Sequence, residues 1–376
     1  MPAISTGKVL VSGANGFVSL WVLDYLLKRG YSVRGTVRST KKSEHLRELF
    51  KSHKDKLEIV EVADISKEGA FDKAVEGVDA VLHLASPFTD KVSSADEMIR
   101  PAVDGTVSIL KSAAKNTSTL KRVVITSSMA SVMDLHPVQS LFTEADWNTH
   151  SPDEVEKSGL GAGPIHVYLA SKTLAEKAAW DYYNSIKGTV NWDMVALLPG
   201  MVFGPMLQEL NSPDDLNYSM AAFFKSLLSS TSDATTQEVV FTPLGGWVDV
   251  RDVAESHVLA LSTAEAKDER ILIVAGSIFP QNIVVEGQKV RPKIPNKFGS
   301  EVPDSPKQFD VSKSKKIFPG FTYKTLDQTT ADCVQDFSKR KWLASFEESE
   351  PAPENTKKSR RISKFSPLKW VRSKMS

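Results

Sequence analysis

Cysteine is nearly absent: Cys333 is the only one in 376 residues. No internal disulfide can therefore form, and a reducing compartment, the cytoplasm, is expected. Seven histidines are scattered without the close His/Cys/Asp spacing that a metal site needs, so no metal is expected. No run of about 18 apolar residues occurs, which excludes an ordinary membrane-spanning helix. The opening MPAIST runs directly into KVLVSGANG without a charged segment followed by a long apolar one, so no secretory signal is expected. Excess charge is also missing: the net value of +1 gives no global field to attract nucleic acid or membrane, so charge names no partner and nucleic acid is not expected.

What is present is an ordinary globular composition, 41% hydrophobic and 25% charged, in a chain long enough for a two-lobed unit. Short β-branched runs at Lys8–Ser12, Ser32–Thr36, Leu57–Val62, Ala80–Ala85, Arg122–Ser127 and Met194–Leu198 read as strands that are apolar on both faces. Helical patterns near 17–29, 41–53, 93–116 and 166–186 separate them. This alternation predicts an α/β fold, a doubly wound parallel sheet of the Rossmann type. Residues 1–200 are assigned to it, with 245–275 returning to it through a helix near 250–264 and a strand at Ile271–Val274. Segments 201–244, with a helical patch near 215–229, and 276–345 form a smaller, discontinuous lobe. Residues 346–376 are a tail with eight Lys/Arg and no carboxylate beyond residue 356. Disorder is expected there, with Phe365, Leu368, Trp370 and Val371 offering a weak basis for contact with an anionic membrane surface.

The turn Gly13-Ala-Asn-Gly16-Phe-Val-Ser19 follows the first strand and opens a helix. Glycines there let backbone N–H groups approach a pyrophosphate, whose charge the helix N-terminus favours. The second strand ends in Arg34-Gly-Thr-Val-Arg38-Ser-Thr-Lys-Lys42, with no carboxylate to accept a ribose 2′-hydroxyl. Arg38 and Lys42 instead suit a 2′-phosphate, which favours NADPH over NADH. Asp64, after the third strand, is a candidate for the adenine amino group or a turn-capping aspartate.

Tyr168-Leu-Ala-Ser-Lys172 puts a phenol and an ammonium one turn apart on a helix. A neighbouring ammonium together with an oxidised nicotinamide is expected to favour the phenolate and ease proton donation near neutral pH, making Tyr168 a general acid, while Lys172 holds nicotinamide ribose hydroxyls. Thr126-Ser127-Ser128 ends the fifth strand on the carboxyl edge of the sheet. Ser128 is positioned to hydrogen-bond a carbonyl oxygen as charge develops, and Ser127 is the alternative.

These residues bring the chain to a family. In order, VSGANGF, GTVRS, ADIS, HLASPF, VVITSSMASV, YLASKTLAEKAAW, LLPGMVFGP and WVDVRDVAESH resemble the extended short-chain dehydrogenase/reductases across roughly residues 7–345. The nearest branch is that of the dihydroflavonol reductases, cinnamoyl-CoA reductases and fungal NADPH-dependent aldehyde/ketone reductases. The resemblance implies a catalytic set of Ser128, Tyr168 and Lys172, of which Tyr168 and Lys172 also contact the cofactor, and a small carbonyl substrate. It implies that Gly13, Asn15, Gly16, Phe17 and Val18 surround the pyrophosphate of NADPH/NADP+, and that Arg38 and Lys42 hold its 2′-phosphate. By the same resemblance Asp64 and Ile65 lie near adenine, Ala85 and Ser86 beside the cofactor, and Pro199, Val202 and Ser219 near it as well. Phe88, Met129 and Met201 match the substrate pocket, where two thioethers would adapt to varied apolar carbonyls.

Asp104 falls where a sister branch carries a proton-relaying Asn, and no catalytic role is assigned to it. Asp249, Arg251 and Asp252 are expected to anchor the smaller lobe, and the polar, Gly-containing 149–164 is expected to be a surface loop or a flap over substrate. Two other readings share the fold: a nucleotide-sugar epimerase or dehydratase, which Arg38 argues against, and a sensor that holds NADPH without turnover. A monomer or a homodimer fits the sequence.

Overall fold

The computed structural model describes residues 4–343 except 87–91, 117, 135–139, 230–240 and 305–307. Phe88 and the whole basic tail therefore lie outside the described residues, as does the Lys42 side chain.

Along the chain, β1 (Lys8–Ser12) leads into α1 (Phe17–Lys28), β2 (Ser32–Val37) into α2 (Glu44–Leu49), and β3 (Leu57–Glu61) into the short α3 (Asp72–Val75). Then follow β4 (Ala80–His83), α4 (Asp96–Lys115), β5 (Arg122–Thr126), β6 (Leu141–Phe142), α5 (His150–Ser158), α6 (Pro164–Ile186) and β7 (Asp193–Pro199). The remainder contains β8 (Met201–Phe203), α7 (Tyr218–Leu227), β9 (Gly245–Asp249), β10 (Arg270–Ile273), β11 (Gly276–Ile278) and β12 (Gln308–Phe309), with further helices at Val250–Ser262, Pro280–Val290, Ser312–Ile317 and Leu326–Lys339.

Seven strands pair in the order β10-β7-β5-β4-β1-β2-β3, and every pairing is parallel. The central strands β1, β4, β5 and β7 are buried along almost their whole length, as a sheet covered on both faces requires. One core, containing Val9, Val11, Leu23, Leu26, Val253 and Leu261, fills the face under α1 and the helix Val250–Ser262. A second, containing Leu10, Val81, Ile109, Leu169 and Met194, lies under α4 and α6. Each such side chain contributes about 1.5–3 kcal/mol by leaving water. The edge strand β3 has no fully buried residue, Glu58 and Glu61 are exposed, and the Glu58 carboxylate pairs with Lys8 and Arg34. Charge on an edge discourages a further strand from adding.

The smaller lobe is built on a second sheet, β11-β9-β8. Phe203, Phe223, Trp247, Ile283 and Phe337 form its core. Residues 245–249 therefore pair in the small sheet, whereas Val250–Ser262 and β10 cover and extend the large one. Where the chain passes between lobes, glycine is a steric necessity: a Cβ on Gly200 would lie 2.7 Å from the Gly246 carbonyl oxygen.

Asp249 accepts the Arg251 N–H at 2.8 Å and the Thr329 hydroxyl at 2.7 Å, and Arg251 pairs with both Asp249 and Asp332. Asp252 accepts the Lys324 N–H at 2.8 Å. These bonds tie residues 324–332 onto the start of the helix Val250–Ser262.

Residues 149–164 differ from the loop read in the sequence. His150–Ser158 is a helix, a 3-10 turn spans Gly159–Ala162, and α6 begins at Pro164. The apolar Val155 supplies the reason, being buried against Val167 and Ala170 of α6, while Gly159 at φ +56° ends the helix.

Candidate active site

The sheet order reverses between β1 and β4, and a crevice opens beyond their carboxyl ends, where open α/β sheets collect ligands. On one side is the glycine turn. Gly13 has φ +65°, and a Cβ there would come within 3.2 Å of Ala85 Cα. The Ala14 N–H donates to the Thr36 carbonyl at 2.8 Å and the Gly13 N–H to the Thr36 hydroxyl at 3.3 Å, so β2 holds the turn in place. α1 starts immediately after the extended Gly16, and no side chain caps it. Its first N–H groups thus form an anion site free of obstruction by a cap, a cradle that fits a pyrophosphate. Phe17 is buried in the core of the smaller lobe, Val18 packs at its edge, and Asn15 is exposed.

Beyond β2, Arg38 is exposed, and no described residue makes a hydrogen bond or ion pair with it. Asp64 is exposed as well, and its Oδ1 accepts both the N–H (3.0 Å) and hydroxyl (2.6 Å) of Ser66, which hold its carboxyl below the usual range. Ile65 is half-buried against α4 where Gly105 leaves room, since a Cβ on Gly105 would lie 2.9 Å from the Ile65 Cδ1.

On the other side, β5 ends at Thr126 and Ser128 caps the 3-10 turn Met129–Ser131, its Oγ accepting the Ala130 N–H at 3.1 Å. The Tyr168 side chain of α6 is hydrogen-bonded to Ser128. One turn along, Lys172 Nζ donates to Ser86 Oγ at 3.1 Å, just past β4. Two strand ends, those of β4 and β5, and one helix thereby converge on Ser128, Tyr168, Lys172 and Ser86.

Ser127 is used differently. Its hydroxyl donates to the buried Glu176, whose carboxylate also accepts Ser131 Oγ at 2.5 Å and Arg270 Nε at 2.6 Å. Of the two serines, Ser128 is the one joined to Tyr168.

Burial pushes Tyr168 up to about 12, with Ser128 opposing and Tyr218 adding to the rise. Burial also pushes Lys172 down to about 8. The expected stabilisation of the phenolate joins the ammonium to an oxidised nicotinamide; within the protein chain alone, desolvation is the largest influence and favours the protonated phenol.

Of the remaining residues, Pro199 is buried at the end of β7, and Met201 and Val202 are half-buried on β8. Ser219 Oγ donates to Asn217 Oδ1 at 3.1 Å. Met129 is only 6% exposed, and its sulfur accepts the Gly246 N–H at 3.2 Å, so its thioether packs at the junction of the lobes rather than forming an open wall. Asp104 is exposed on α4.

Sequence reasoning missed two residues. The Ser12 hydroxyl oxygen accepts the Leu84 and Ala85 N–H groups, each at 2.9 Å, so both of its lone pairs are engaged. Its proton must therefore go to His83 Nδ1, 3.0 Å away, which assigns the His83 hydrogen to Nε2. That buried N–H finds no acceptor among the described residues and borders a small cleft with Ser86, Thr106, Lys172 and Glu176. Desolvation and the Lys172 charge press His83 down to about 3. The second residue is Tyr218, 56% exposed, its ring centroid 6.1 Å from that of Tyr168 at an interplanar angle of 25°. Only the tertiary fold reveals either placement.

Among the described residues no His/Cys/Asp/Glu group could hold a metal ion, and no helix is long and apolar enough to cross a membrane.

The profile of the NAD dependent epimerase/dehydratase family matches residues 9–276. The NADPH-dependent methylglyoxal reductase of Saccharomyces cerevisiae is 32% identical over 348 residues, covering 88% of this chain and 98% of that protein. The cinnamoyl-CoA reductase CAD2 of Medicago truncatula is 35% identical over 357 residues, 91% of this chain and 99% of that one. The crystal structure of the yeast methylglyoxal/isovaleraldehyde reductase complexed with NADPH superposes with a TM-score of 0.80 at 31% identity, covering 89% of this chain and 99% of that one. The chain belongs to the NAD dependent epimerase/dehydratase family, in the dihydroflavonol reductase and cinnamoyl-CoA reductase-like branch of the extended short-chain dehydrogenase/reductases.

Proposed function

We propose that this protein reduces the carbonyl group of a small aldehyde or ketone to an alcohol with NADPH, and that Tyr168 is the general acid. The observation that carries this reading is the Tyr168–Ser128 hydrogen bond at the sheet's reversal point, with Lys172 one turn away. The relatives named above as NADPH-dependent reductases support it.

The reduced nicotinamide supplies the hydride. Gly13 to Val18 and the N-terminus of α1 receive the pyrophosphate, and exposed Arg38, with Lys42, neutralises the 2′-phosphate. Asp64 and Ile65 border the adenine, and Ala85, Ser86, Pro199, Val202 and Ser219 flank the rest of the cofactor. Lys172, oriented by Ser86, binds ribose hydroxyls. Ser128 donates a hydrogen bond to the carbonyl oxygen as negative charge grows there, and Tyr168 Oη transfers its proton to that oxygen. A phenol kept protonated by burial suits the reductive direction, in which the acid must begin loaded. In this reading residues 1–200, with the helix Val250–Ser262 and β10, carry the cofactor, and the lobe built on β8, β9 and β11 shapes the substrate site.

The test follows nicotinamide absorbance with purified protein, NADPH and NADH in turn, and a panel of aldehydes, α-diketones, ketoesters, aryl ketones and dihydroflavonols. Turnover with NADPH in preference to NADH is expected. Tight NADPH binding with no oxidation across the panel would favour a sensor.

A further inference from the structure

We infer that Tyr218 is the specificity-determining wall of the substrate cleft, and that it selects carbonyl compounds bearing a planar, conjugated group over saturated ones of the same size. The inference rests on the reading of the cleft as a carbonyl reductase site.

Tyr218 is the most exposed large side chain among the described residues with apolar surface, at 56%. Its neighbours are not exposed: Met220, Phe223 and Leu227 of the same helix are buried in the core of the smaller lobe, and Leu216 packs against it. Tyr218 takes no part in that core. Its backbone is nonetheless clamped. Asn217 caps α7, its Oδ1 accepting the Met220 N–H at 3.0 Å. Just upstream, Ser212 and Asp215 close a capping box, with Asp215 Oδ2 accepting the N–H groups of Asn211 at 3.0 Å and Ser212 at 3.2 Å. Two caps within a few residues of one exposed ring fix where the smaller lobe presents it.

That place is opposite the proton donor. The two phenol rings lie 6.1 Å apart at 25°, one from each lobe. A carbonyl oxygen seated against Tyr168 Oη brings the substituent on its carbon alongside the Tyr218 ring. An aromatic face rewards a flat π-system in offset or edge contact beyond what buried area alone supplies, and a puckered saturated ring cannot make that contact. Half-buried Met201 and Val202 on β8 add apolar surface to the same lobe and no comparable directional preference.

The experiment compares benzaldehyde with cyclohexanecarbaldehyde, which share a carbon skeleton and differ in planarity, and reads the ratio of their kcat/KM values. Forming the ratio removes any effect of Tyr218 on Tyr168 that is common to both substrates. In Tyr218→Ala and Tyr218→Leu the ratio is expected to fall by about tenfold relative to wild type, and in Tyr218→Phe to stay within about twofold, because the ring face and not the hydroxyl discriminates. Melting temperatures should match wild type, since the ring lies outside the core. An unchanged ratio in the Ala and Leu variants, or an equal fall in the Phe variant, overturns the inference while leaving the reductase reading in place. Absence of NADPH oxidation by wild type with every carbonyl overturns the reductase reading itself.

Discussion

Burial acts in opposite directions on the two groups of the helical pair, raising the Tyr168 phenol to about 12 and lowering the Lys172 ammonium to about 8. Reduction needs the phenol protonated, which holds at every pH well below 12, and the ammonium charged, which fails above 8. The kcat/KM for reduction should therefore show one alkaline limb near pH 8, and Lys172→Arg should move it beyond the accessible range, since guanidinium stays charged. A limb that persists in the Arg variant would contradict the assignment.

His83 affects stability in the same way at lower pH. Its folded value of about 3 lies below the unfolded 6.5, so the unfolded chain binds the extra proton between those values. Its stabilising share is complete above pH 6.5 and is lost as pH falls, by about 2 kcal/mol at pH 5. Asp252, raised to about 7, works oppositely, losing stability as pH rises from the unfolded carboxylate value through 7. The change in urea midpoint from pH 7 to pH 5 should consequently be more positive in His83→Gln than in wild type, because the substitution removes the His83 loss and leaves the opposing Asp252 gain. Arg38→Ala, at an exposed cation, should weaken NADPH binding by about 10- to 100-fold, the worth of charge-assisted hydrogen bonds, and barely alter NADH binding in calorimetry. Tyr168, Lys172 and the basic turn were legible because each is a local pattern. Between Ser127 and Ser128 the local pattern leaves both open and only the family resemblance picks Ser128; what the sequence hides is Glu176, which accepts the Ser127 hydroxyl.

Among the elements, the strands of the large sheet were legible because burial on both faces leaves nearly unbroken apolar runs. The strands of the smaller lobe were not, β8 and β11 being only three residues long and β9 beginning with two glycines. α5 was hidden by His150, Ser151 and Pro152, poor helix formers outside a first turn, and becomes a helix through the burial of Val155 against α6. Contacts between elements also explain which glycines matter. Gly200→Ala would drive a methyl group against the Gly246 backbone and should cost about 1–3 kcal/mol, read as a lowered melting temperature. Gly188→Ala, with nothing within 4 Å and no positive φ, serves as the control and should be neutral or slightly stabilising. Equal effects of the two substitutions would remove the steric account of the lobe junction.

Across the whole molecule, three bonds join the lobes beside the glycine turn: Trp21 Nε1 donates to the Pro205 carbonyl at 2.9 Å, His45 Nε2 meets the Leu207 carbonyl at 2.8 Å, and Gln208 Nε2 donates to the Asn15 carbonyl at 3.4 Å. The residues proposed for cofactor binding and those proposed for substrate choice are thus held in one frame, with Tyr168 and Tyr218 facing each other across it. If Tyr168 supplies the proton, loss of its hydroxyl removes turnover while most of the contacts proposed for the cofactor survive. The most direct test measures NADPH binding by calorimetry and steady-state turnover with one reactive carbonyl, in wild type and in Tyr168→Phe. The account predicts nearly equal NADPH affinity and turnover reduced by about 10²- to 10⁴-fold in the variant. Full turnover in Tyr168→Phe would contradict it.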